Sequence, residues 1–90
     1  MEVKQASIGD FVIFTEPDGT DHNALVTCVW SPVTINVVYV SSDVERKDQY
    51  GRQIVRHTSV MHKSTTGIVH GPVWRWPDEA KNEYNPPMAT

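Results

Sequence analysis

The chain holds one cysteine, Cys28, in 90 residues. A single thiol excludes an internal disulfide framework and any multi-cysteine zinc site, and it suits a reducing compartment. Long hydrophobic runs are absent too. The longest, over residues 33–40, is broken by Thr34 and Asn36, far short of the roughly 20 apolar residues of a membrane span. The opening MEVKQASIGD has no apolar stretch of the secretory kind, so the chain is expected to stay where it is made. No Gly-x-Ser-x-Gly turn occurs and Cys28 lies in a hydrophobic stretch expected to be core, which leaves little support for nucleophilic catalysis. At 90 residues there is room for one domain, which buries only about 60% of the surface its unfolded chain exposes.

What is present is a globular mixture, 39% hydrophobic and 21% charged, rather than a disordered one. The net charge of −3 argues against a coat for long nucleic acid, but the charges are unevenly spread. Arg46, Lys47, Arg52, Arg56, Lys63 and Arg75 face only Asp48 between residues 46 and 76, a local +5, while the remainder carries −8. His57, His62 and His70 fall in the same stretch. Such a segment reads either as an anion-binding surface or as an ordinary solvated strand face.

The apolar pattern reads as strands. Residues 11–15 form a short run followed by the turn Pro17-Asp18-Gly19, in which proline presets φ and glycine accepts the left-handed position. Residues 24–30 place Ala24, Val26, Cys28 and Trp30 on one face. Over residues 34–40, Ile35, Val37 and Tyr39 face one way and Val38 and Val40 the other, the pattern of a central strand buried on both sides. Residues 41–53 make a long polar connection. Residues 53–61 alternate weakly, with Ile54, Arg56, Thr58 and Val60 on one face and Val55, His57, Ser59 and Met61 on the other. Residues 64–67 read as a loop, 73–76 as a last strand, and 78–84 as a short helix with Asp78 and Glu79 near its N-terminus. The expected organisation is one domain over residues 1–84 and a flexible tail over 85–90.

Five short strands with polar insertions predict a mainly β fold, a small, partly open antiparallel barrel. The opening IGDFVIF at 8–14, a turn, and ALVTCVW at 24–30 resembles the first hairpin of SH3-like barrels.

The chemistry these residues carry is narrower. His57-x-Ser59 and His62-x-Ser64 look like the paired His-x-Ser/Thr elements of two-histidine phosphoesterases. Residues five apart on an extended strand point to opposite faces, however, so the two elements do not converge. A metal centre from His57, His62 and His70 lacks a carboxylate at ligand spacing, so no metal or cofactor is expected. Binding explains more. Arg52 and Arg56 lie four apart, on one face of an extended strand, each able to grip a phosphate bidentately, with His57, His62 and Lys63 as further donors. Tyr50, Trp74 and Trp76 offer flat surfaces for stacking a base. Two tryptophans on one face also fill cores, so one is expected inside and one available.

From residue 35 onward the chain resembles a group of small bacteriophage-encoded proteins. The runs that carry it are INVVYVSSD at 35–43, DQYGRQI at 48–54, TSVMHKS at 58–64, HG at 70–71 and WRWPDE at 74–79, with HNALVT at 22–27 upstream. The resemblance implies a small accessory protein acting in the cytoplasm of an infected bacterium, and the residues themselves point to a non-enzymatic one. Anti-defence proteins of this sort include ones that sequester cyclic or ADP-ribose-type nucleotide signals. The expectation is therefore a sponge for a phosphate-bearing nucleotide, with its site at a homo-oligomer interface because a small barrel has little room for a deep pocket. The alternatives are a module that binds a host protein through the same basic segment, or a minor virion component.

Overall fold

The structure is a computed structural model, and it describes residues 4–66 and 71–80. Its strands are β1 (Phe11–Thr15), β2 (Asp21–Val29), β3 (Thr34–Val40), β4 (Lys47–Asp48), β5 (Gly51–Arg52), β6 (Ile54–His62) and β7 (Val73–Arg75), with one helical turn, α1 (Lys63–Thr66). Five of them close a barrel in the order β1-β2-β3-β6-β7, so the mainly β, SH3-like barrel is present and fully shut rather than partly open. β7 makes the closure, antiparallel to β1 and parallel to β6. Among the described residues no helix is long and apolar enough to cross a membrane.

Local chemistry sets each connection. In the β1–β2 turn Gly19 takes φ +93°, Glu16 N–H donates to the Thr20 carbonyl at 2.8 Å, and Thr20 N–H donates to Asp18 Oδ1 at 2.9 Å. That last bond holds the Asp18 carboxyl below its usual range. The expected connection over 41–53 contains a hairpin arm, β4 paired with β5. At its tip Asp48 Oδ1 accepts from Tyr50 N–H at 2.8 Å and Gly51 adopts φ +107°. β7 enters beneath the β1–β2 turn, where Gly71 N–H donates to the Glu16 carbonyl at 3.0 Å. A β-carbon on Gly71 would lie 1.5 Å from the Thr15 carbonyl oxygen, so only glycine permits the approach.

Inside the barrel pack Val12, Phe14, Ala24, Val26, Ile35, Val37, Tyr39, Val60 and Trp74, with Ala6 from the N-terminal segment. On β1 the inward row is Val12 and Phe14, and on β3 it is Ile35, Val37 and Tyr39, one of the two apolar faces read from alternation. β2 and β6 differ because each carries an irregularity opposite Asn36: the register shifts between Val26 and Cys28 on β2, and between Ile35 and Val37 in the β3–β6 pairing. An extra residue moves every later side chain to the other face. Val55 and His57 therefore point in, and so do Val60 and His62 beyond the bulge at Thr58-Ser59, where Ser59 sits at φ +56°. For the same reason Cys28 leaves the inward row and is half-buried, while Val29 packs on the core.

Two smaller expectations also change. Residues 63–66, read in part as loop, form α1, and 76–79 make a turn where a helix was expected to start, with Glu79 N–H donating to the Trp76 carbonyl at 3.0 Å. Residues 81–84 and the tail 85–90 lie outside the described residues.

Candidate functional site

The residues expected to form a nucleotide site are dispersed by the fold. Trp74 is fully buried and its indole N–H donates to the Val33 carbonyl at 2.9 Å. His62 is 2% exposed, with Nδ1 at 2.8 Å from Ser64 Oγ and Nε2 at 2.8 Å from Glu79 Oε1. Both ring nitrogens are engaged, so His62 has no free donor for a ligand. Burial works to raise the Glu79 carboxyl, but the bonds from His62 and from Trp76 N–H outweigh it and hold the group below its usual range. Trp76 is half-buried: its ring stacks edge-on to Trp74 at 5.6 Å, carries the Lys4 ammonium 4.7 Å above it, and donates Nε1–H to the Lys4 carbonyl. Lys63, in α1, is half-buried. These groups close the barrel. The reason is the β6 bulge, which turns His62 inward against Trp74.

The basic segment does not form one surface. Arg75 is bonded to Asp21 through both terminal nitrogens at 3.3 Å and to Thr15. Arg52 belongs to β5 and Arg56 to β6, so the pair does not share a strand. Arg52 donates to the Ser41 carbonyl at 3.1 Å, and Arg46 Nε donates to Gln53 Oε1. Asp43, Glu45 and Asp48 lie in the same arm as Arg46, Lys47 and Arg52, leaving it near neutral. Tyr50 is 87% exposed at the arm's tip.

His57 points into the barrel end instead. Its ring lies 4.8 Å from Phe14 and 6.0 Å from Tyr39, and His22 stacks on Tyr39 at 4.2 Å. Glu16 joins this stack by accepting from Tyr39 Oη–H at 3.2 Å and pairing with His22 Nε2 at 2.8 Å. Burial, then the Glu16 charge, pushes the Tyr39 hydroxyl up to about 12. Among the described residues no three His, Cys, Asp or Glu side chains come together to hold a metal. His70, the third proposed histidine, lies outside them.

The outer wall of β1, β2, β3 and β6 carries the feature the sequence reading missed. Leu25 lies opposite both Phe11 and Val38, Val38 lies opposite Arg56, and Val40 lies opposite Ile54. The wall is open: Phe11, Leu25, Val40 and Ile54 are 44%, 51%, 53% and 57% exposed. They line a groove of about 210 Å³ with Asn23, Ala24, Val38 and Tyr39. The second face of β3, expected to be buried, is this groove's floor. Beyond Val38, Asn36 fills the gap left by the two bulges. Its Oδ1 accepts from Trp30 Nε1–H at 2.8 Å, Thr58 Oγ–H at 2.9 Å and Ser59 N–H at 2.8 Å. Trp30 is thereby fixed in place while 63% exposed. The signal for Trp30 was available in the Trp-Ser-Pro that ends its strand, since a tryptophan at a turn rarely reaches a core. The signal for the groove was the apolar second face of β3.

The chain matches no protein-family model, no curated protein and no solved structure.

Proposed function

We propose that this protein is a non-enzymatic docking module that binds another protein through the outer wall of β1, β2, β3 and β6. The observation that carries the reading is the groove itself: four large apolar side chains from four adjacent strands, each about half exposed, on a 90-residue chain that buries its other apolar strand residues well. Contiguous apolar surface of this kind is costly to leave in water and marks interaction sites. The wall's composition agrees, because tryptophan and arginine are enriched among the residues that dominate protein interfaces, and Trp30 and Arg56 both stand on it. The resemblance to small bacteriophage-encoded proteins supports seeking that partner in an infected bacterium.

A photo-crosslinking residue at Val40 tests the reading in bacterial lysate. It is expected to capture a discrete partner that the same residue at Thr20, in the β1–β2 turn, does not, and that Leu25→Asp abolishes. Equal capture from both positions would overturn it.

A second reading, sequestration of a phosphate-bearing nucleotide, draws on Tyr50, exposed beside Lys47 and Arg52 at the tip of the arm. A nucleotide at a hundredfold excess over its Kd would stabilise the fold by about 2.7 kcal/mol. Docking through the wall predicts no such shift with a panel of cyclic and ADP-ribose-type nucleotides.

A further inference from the structure

Resting on the docking reading, we propose that the segment received by the groove is acidic: a short extended stretch in which apolar side chains enter the groove and an Asp or Glu carboxylate pairs with Arg56. None of the eight residues lining the groove is charged. The cation at its border is Arg56, opposite Val38 on β3 and two residues from Ile54. The chain's other described arginines are engaged, Arg75 by Asp21, Arg52 by the Ser41 carbonyl and Arg46 by Gln53. The Arg56 side chain is exposed and makes no hydrogen bond or ion pair among the described residues.

Arg56 lies outside the groove's lining but opposite Val38, so an occupant that runs along β3 past Val38 covers it in part. Removing an unpaired guanidinium from water is costly. The occupant that avoids this cost supplies an anion, and a carboxylate matches the guanidinium fork with two parallel bonds. The length of the site also follows. From Asn36, which holds Trp30, to Val40 is four residues along β3, or about 13 Å at roughly 3.3 Å per residue. An extended segment of four to six residues therefore spans from the exposed indole to Ile54, with its carboxylate near the middle.

Selection from a library of random 12-residue peptides displayed on a carrier tests this with the intact protein. Wild type is expected to enrich peptides in which Asp or Glu lies among apolar residues, and Arg56→Glu is expected to replace that acidic preference with Lys or Arg. Arg56→Gln should weaken a selected peptide by about 30-fold, as expected for removing one partner of a covered charge pair. Apolar peptides without an acidic bias, or an acidic bias that survives Arg56→Glu, would overturn the inference while leaving the docking wall intact. Enrichment that persists in both Leu25→Asp and Ile54→Asp, each checked for a native melt, would overturn the docking reading itself, and so would no enrichment at all. A wild-type protein that sediments as a dimer, and as a monomer once Leu25→Asp is introduced, would show that a second copy fills the groove and sink the acidic segment.

Discussion

The β7 seam and the outer wall of β1-β2-β3-β6 are built from similar residues and treat them in opposite ways. At the seam, Trp74 is enclosed and bonded to Val33, His62 is held at both nitrogens, and Arg75 is matched by Asp21. On the wall, Trp30 stands in solvent, Arg56 has no partner among the described residues, and Leu25, Val40 and Ile54 are more than half exposed. Among the described residues no buried side-chain nitrogen or oxygen lacks a hydrogen bond, so the seam's buried polar groups are spent within the fold. A small barrel needs its largest aromatic ring to fill its interior. The side chains it leaves outside are the ones available for recognition.

The sharpest way to break the comparison is at its centre. Trp74→Ala is expected to cost about 3–5 kcal/mol from the cavity and the lost apolar burial, enough to unfold much of so small a domain in a denaturant titration. Tyr39→Phe probes the barrel end by pH. The folded hydroxyl titrates at about 12 against an ordinary 10, so the fold favours the neutral form. The stability tied to it is whole below pH 10 and is lost as pH rises toward 12. The phenylalanine variant should lack that alkaline decline in thermal melts.

Asn36→Ala joins the two regions, since it removes the acceptor for three donors at the paired bulges. Loss of about 1–3 kcal/mol is expected, read by chemical denaturation, and Asn36→Asp should restore most of it. Glu79→Gln acts at the seam's rim. Because the folded carboxyl lies below its usual range, its contribution is present above that range and lost as pH falls through the folded value. The variant should therefore flatten the acid side of the stability profile. Leu25→Asp should change stability least, within about 0.5 kcal/mol for an exposed position, yet abolish capture at the wall. An Asp at 25 that unfolds the protein would mean the wall is core after all.

Much of the fold was legible from alternation. The runs at 11–15 and 34–40 coincide with strands, the run at 73–76 exceeds its strand by one residue, and Pro17-Asp18-Gly19 turns the first hairpin as turn chemistry predicts. The faces of β2 and β6 were not legible, because nothing local marks Thr58-Ser59 or the step before Cys28 as a bulge. His57 and His62 read as ligand donors from their place in a basic segment, and Cys28 read as core from the unbroken alternation of 24–30. Arg52 and Arg56 looked like neighbours on one strand for a related reason, since the break at Gln53 depends on the arm folding back on itself.

By itself the sequence determined the class of protein: one small β domain with a single thiol, strands where apolar residues alternate, and turns where proline and glycine permit them. Those are local consequences of backbone sterics and side-chain period, and a few neighbouring residues decide each. Which tryptophan is enclosed, which arginine side chain lacks a partner among the described residues and which second face stays open were decided only by closure of the barrel. Closure joins β7 to β1 across some sixty residues of chain, and the phase of every strand at that seam depends on bulges that only cross-strand pairing creates.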